Sequence, residues 1–143
     1  MSGFRLSALL RLRSMQEDDA LAGLGRAQQT LASAGAATTA AREAVRATGP
    51  APSGPAAVFL AGAAARAALA VAVTESVALE EVAARDVHSE RGAWQDARSR
   101  SRAVGRLAEK YEEERRADLA RREQAQADEL TSARWKGTED THE

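Results

Sequence analysis

The chain has 143 residues, a formal net charge of −1 and no cysteine; 44% of it is apolar, mostly alanine, and 3% is aromatic. That balance excludes a disulfide scaffold and a sheet-based enzyme, whose core needs larger side chains. Alanine, glutamate, arginine and leucine in these proportions point to long helices or a coiled coil, and the near-neutral total gives no general pull toward nucleic acid.

The first residues carry interspersed arginines and no uninterrupted apolar run, so no secretory signal is expected. A first helix is predicted over about residues 4–47. Stepping alternately by four and three from Leu6 meets Leu10, Arg13, Glu17, Ala20, Leu24, Ala27, Leu31, Ala34, Thr38, Ala41 and Val45. Most are apolar, and the 3.5-residue period is that of a coiled-coil seam. Leu9, Leu12 and Leu21 widen the stripe near its start.

All three prolines fall in residues 48–55, a turn that ends one helix and delays the next. Gly49 is placed to cap the first helix and Pro55 to open the second. The second helix is predicted over about residues 56–135, with a frayed tail at 136–143. Its seam reads Phe59, Ala63, Arg66, Ala70, Val73, Val77, Glu80, Ala84, Val87, Arg91 and Trp94. Beyond Trp94 the pattern gives way to a shifted patch at Val104, Leu107 and Tyr111. Residues 56–73 hold one charge, Arg66. An arginine mid-stretch costs about 2.5–3.5 kcal/mol on insertion scales, and alanine offsets little of that, so an alanine-rich helix is expected there rather than a membrane span.

With the turn centred near Ala51, the helices form an antiparallel hairpin in which residue i faces about residue 102 − i. The fold class is therefore all-α, a single two-helix coiled-coil domain with a longer second helix. About the last 35 residues overhang without a partner helix. Glu112 with Arg116 and Asp118 with Arg122 are spaced to support that overhang as (i, i+4) pairs.

No catalytic pattern is present. The phosphate-loop, dinucleotide and nucleophile-elbow motifs are missing. His88 has Asp86 and Glu90 at a spacing of two, which puts them on different helix faces and not in a metal site. Neither a metal, a cofactor nor a small-molecule ligand is expected, and the chain reads as a non-enzyme. Arg98, Arg100, Arg102 and Arg106 form the densest charge feature, with no acid in residues 98–107. They read as a solvated face, or as a footprint for an acidic protein or anionic headgroups. Nucleic acid is not expected, since base-stacking aromatics are missing there.

Two segments carry a family resemblance. Phe4, Arg5, Leu6, Leu9, Leu10, Arg11, Leu12 and Arg13, followed by Glu17 and Ala20-Leu21, resemble the opening of the flagellar export protein FliJ family. Glu109-Lys110-Tyr111-Glu112, Arg121-Arg122-Glu123-Gln124, Asp128-Glu129-Leu130 and Arg134 resemble its close. The resemblance implies a cytoplasmic component of flagellar type III protein export, peripheral at the inner-membrane face of the flagellar base. It implies an antiparallel coiled coil similar to the stalk of rotary ATPases. Its partners would be the export ATPase ring (FliI), the export gate (FlhA) and export chaperones, with membrane contact only through the apparatus. Carried over by position, Leu6, Leu9, Leu10, Arg13, Arg122, Glu123, Gln124, Glu129 and Leu130 would meet the ATPase ring. The family's gate contact lies near the turn, where this chain is nearly all alanine; Phe59, Leu60, Leu69, Val71 and Val73 are the candidates there. Two other readings fit the residues: a generic coiled-coil scaffold or homodimer, and a binder of anionic membrane surfaces through residues 98–106 and the N-terminal stripe.

Overall fold

Two proline-free, alanine-rich stretches flank the Gly/Pro-rich connection, and each folds as one helix. The computed structural model describes residues 2–50 and 53–139, with side chains for 5–50 and 53–132. Helix α1 spans Ser2–Ala47 and helix α2 spans Ala56–Glu139. They pack as the expected all-α hairpin with the longer helix second, and no strand occurs among the described residues. The expectations for the side chains of Phe4, Arg134 and Trp135 and for the end of the tail lie outside the described residues.

The helix ends follow local chemistry. Gly49 takes a positive φ of 63° two residues past α1, the left-handed conformation that closes a helix without a Cβ penalty. The Thr48 N–H donates to the Val45 carbonyl at 3.3 Å. At the other side the Pro55 carbonyl accepts from the N–H groups of Val58 (2.9 Å) and Phe59 (3.2 Å). The proline thus precedes α2 as its cap, where its missing N–H leaves no helix bond unmade.

Contacts divide the chain into two units, one of Met1–Arg13 with Arg100–Glu143, the other Ser14–Ser99. In the second unit, the α1 seam is the one read from the spacing. Glu17, Ala20, Ala27, Leu31, Ala34 and Ala41 are half-buried and Leu24 and Thr38 are buried; Val45 is exposed. On α2 the half-buried and buried positions are Gly62, Arg66, Leu69, Val73, Ser76, Glu80, Ala83, Val87, Glu90, Trp94 and Ala97, with Val77 beside them. Every other position of the expected α2 seam is therefore corrected by one residue. Ala63, Ala70, Ala84 and Arg91 are exposed while Gly62, Leu69, Ala83 and Glu90 beside them are half-buried or buried; Phe59 is exposed together with both its neighbours. The cause is degeneracy: alanine stands on both sides of the true seam, so apolar spacing alone cannot choose between them.

The facing register is corrected as well. Gly23 lies against the Glu90 carboxylate, and a Cβ at Gly35 would lie 3.5 Å from Oε1 of Glu80. These pairs put residue i opposite about residue 114 − i, not 102 − i. A turn length limits where a seam can start, but packing decides where it does. Each acidic side chain lies over a position that has no Cβ, and the same relation brings Ala27 level with Val87 and Leu31 level with Ala83. Ala83 and Val87, 4% and 8% exposed, form with Leu24 the buried apolar centre among the described residues. Thr38 is also buried, and its hydroxyl donates to the Ala34 carbonyl at 3.1 Å, which satisfies that group.

The stagger has a direct consequence at the connection. Ala47 falls level with about residue 67, so about eleven residues of α2, roughly 16 Å, precede any facing part of α1. Eight connecting residues can bridge this offset, since extended chain spans about 3.3 Å per residue.

In the first unit Leu6, Leu9, Leu10 and Arg13 of α1 are half-buried, as are Ser101, Val104, Gly105, Ala108, Tyr111 and Glu112 of α2. The α2 seam there follows the same steps of three and four rather than stopping at Trp94. From residue 113 to 132 every side chain is exposed. The partnerless segment therefore begins later than expected, and α2 continues past residue 135 to Glu139.

A cysteine-free chain allows the register to be read chemically. Ala27→Cys with Val87→Cys is expected to oxidise to an internal disulfide. Ala27→Cys with Glu75→Cys, paired in the shorter register, is expected to stay reduced because its sites lie about 18 Å apart along the seam. Gel mobility without reductant separates the two. Gly25 and Gly92 have nothing within 4 Å of a built Cβ. Changing either to alanine should raise stability by about 0.5–1 kcal/mol in urea melts followed by circular dichroism.

Candidate functional site

No reacting group is assembled among the described residues: none of the His, Asp and Glu side chains gather in threes that could hold a metal. His88 is exposed, while Glu90, two residues on, turns into the seam. The surface offers faces instead, and they fall in three places.

The first lies in the unit formed by the start of α1 and the end of α2. Leu6 meets Leu107, Lys110, Tyr111 and Glu114 around an open groove of about 300 Å³. Leu6 thus lines this groove, while Leu9, Leu10 and Arg13 are half-buried on the same helix. Arg122, Glu123, Gln124, Glu129 and Leu130 are all exposed on the partnerless part of α2. The structure does not bring the two sets together: the later one starts about 11 residues past Tyr111, roughly 17 Å along the helix. Leu119 is exposed on the same segment and was not singled out by spacing. An apolar residue amid a charged run is the signal that marks it.

The partnerless segment carries its own charge pairs, at a different spacing from the one expected. Arg115 Nε meets Glu112 Oε2 at 3.3 Å, and Arg121 bonds Asp118, both at (i, i+3). Lys110 and Glu114 pair at 3.9 Å, and the Gln124 amide donates to Asp128 at 3.2 Å. On a helix both i+3 and i+4 neighbours are within reach, and consecutive arginines at 115–116 and 121–122 offer each acid a choice. The Arg121 hydrogen bond and charge hold the Asp118 carboxyl below its ordinary value, with a smaller contribution from Arg122.

The second place is the arginine run. Arg98, half-buried, lies with its guanidinium 5.1 Å from the centre of the Trp94 ring, a cation–π arrangement within the second unit. Arg100, Arg102 and Arg106 belong to the first unit and are exposed. One of the four is thus engaged by an aromatic ring on its own helix.

The third place is the start of α2. Phe59, Leu60 and Val71 are exposed, whereas Leu69 and Val73 are half-buried toward α1. Val82 and Leu79 are exposed further along and were not read from the sequence. Leu60, Ala64, Ala67, Val71, Ala78 and Val82 recur at helical spacing on the side away from the seam, a second stripe hidden by its alanines. In mid-hairpin, Gly23, Arg26, Ala27 and Thr30 face Asp86, Ser89 and Glu90 across a polar groove that only the corrected register reveals.

Such a molecule belongs to the coiled-coil hairpins, proteins whose described surface presents helix faces rather than a reacting centre. Its lineage is defined by sequence: the chain belongs to the flagellar FliJ family, whose model, described as "Flagellar FliJ protein", matches residues 1–139. That family is a non-enzymatic component of flagellar protein export. No curated protein and no solved structure matches the chain.

Asp118 provides a pH test of the partnerless segment. Because its carboxyl is held below the ordinary value, its pairing favours the helix at neutral pH and is lost as pH falls through the lowered value. Helicity should drop on the acid side, and Asp118→Asn should remove part of that drop while lowering helicity slightly at pH 7. Circular dichroism of the full chain from pH 7 to pH 2 measures both.

Proposed function

We propose that this chain is a non-catalytic stalk and adaptor of flagellar export, engaging the export ATPase ring and coupling it to the export gate and chaperones. One observation carries the reading: in a chain of this family, residues 113–132 of α2 are exposed throughout and have no facing helix. A single helix held by surface pairs of a few tenths of a kcal/mol each is poorly justified as a free element. It makes sense as an element that a ring of partner chains encloses. Arg122, Glu123, Gln124, Glu129 and Leu130 are then the ring contacts, and the groove at Leu6 and Tyr111 receives a partner side chain at the seam's end.

Coupling to the gate would use the start of α2. Of the five candidates there, Phe59, Leu60 and Val71 are open to a partner, while Leu69 and Val73 shape the seam behind them. The protein would work in the cytoplasm, at the membrane face of the export apparatus.

The hydrolysis rate of the cognate export ATPase, with and without this protein, tests the reading. Stimulation is expected, and Glu123→Ala with Leu130→Ala should weaken it about tenfold in the concentration required. Both residues are exposed, so the hairpin itself should melt as before. Leu9 and Leu10 are poorer probes because their replacement also opens the seam. Stimulation unchanged by loss of Glu123 and Leu130 would remove the exposed segment from the ring contact.

A further inference from the structure

The start of α2 has a composition that the hairpin does not use. From Ala47 to Ala65 no residue is charged. By length and composition an 18-residue window of α2 could cross a membrane, and none of that window is buried in the protein. The stagger explains why: about eleven residues of α2 come before the level at which α1 begins to cover it. Within them Val58, Phe59 and Leu60 are exposed, the last two at 53% and 65%. A helix apolar on all sides is ordinarily covered on all sides.

The charges that flank this segment are mainly basic. Arg66 is its first charge. In the register of the hairpin, Arg46 and Arg42 of α1 fall level with about residues 68 and 72. Both are exposed, and Glu43 is the one acid among them. An uncharged apolar tip followed within two turns by three arginines is complementary to a bilayer that bears anionic headgroups.

We propose that the first turns of α2 enter the headgroup–acyl boundary of an anionic bilayer. Phe59 and Leu60 are the apolar contacts, and the exposed Arg42 and Arg46 lie among the headgroups. Insertion is shallow, about 5–10 Å. A full span is excluded physically, because the backbone of the Gly/Pro connection needs water and cannot lie in hydrocarbon. Residues from about 67 onward are already covered by α1. The proposal leaves the ring contact of the stalk reading, in the other unit, untouched, and assigns Phe59 and Leu60 to lipid in place of the gate contact.

Vesicle cosedimentation of the full chain tests it, using 30% phosphatidylglycerol in phosphatidylcholine against phosphatidylcholine alone. Binding to the anionic vesicles is expected, falling as salt rises. Leu60→Asp should reduce it about tenfold or more, an effect of about 1.4 kcal/mol or above. Arg42→Glu with Arg46→Glu should abolish the preference for anionic lipid. Phe59→Trp should shift its emission to the blue when anionic vesicles are added. Circular dichroism confirms that each variant keeps its helices, which is expected because the changed side chains are exposed. Failure to bind either vesicle overturns the proposal, as does binding that Leu60→Asp leaves intact. A lipid-free dimer that Leu60→Asp dissolves would assign the face to a second copy and overturn it too. So would loss of gate-protein capture in Leu60→Asp without vesicle binding by the parent.

Discussion

The placement of α2 against α1 is marked by two acidic side chains that lie near glycines. An alanine seam buries little area per residue and would tolerate several alignments at similar energy. Glu90 at Gly23 and Glu80 at Gly35 pair in one alignment and would each face a different residue in its neighbours. Polar groups in a coiled-coil seam commonly act in this way, specifying register at some expense in stability. From that alignment follows the uncovered start of α2.

This alignment also explains which parts of the structure were legible in the sequence. The α1 stripe could be read because Leu6, Leu10, Leu24 and Leu31 punctuate it at unambiguous spacing. The turn was readable because Gly49 and the prolines have few other conformational uses. On α2 the large residues Phe59, Val77 and Trp94 suggested a path, but alanines at 63, 70 and 84 matched it as well as the true seam did. The facing register was not readable from turn length. It rests on the pairing of residues some 45 and 67 positions apart, which no local pattern encodes.

The candidate surfaces divide along the same line. The charge-rich end of α2 was recognisable from composition and family motifs, and its exposure agrees with that reading. Its ion pairs differ in partner because two adjacent arginines compete for each acid. Near the turn, the candidates separate into exposed Phe59, Leu60 and Val71 and the half-buried pair Leu69 and Val73, a distinction that depends on seam phase. Leu79 and Val82 escaped notice because alanines fill the stripe that joins them to Val71.

The partnerless segment of α2 also has a mechanical character of its own. In a hairpin, bending one helix compresses its neighbour, so two backbones share the load. Residues 113–132 have no such neighbour, and their rigidity comes from their own backbone bonds and from surface pairs such as Glu112–Arg115 and Asp118–Arg121. Those pairs weaken as electrolyte screens them. Flexural stiffness in this part of the molecule is therefore a function of ionic strength, whereas stiffness along the seam is a function of packing. An enclosing protein channel, by excluding salt solution, would make the segment a stiffer shaft inside than it is outside.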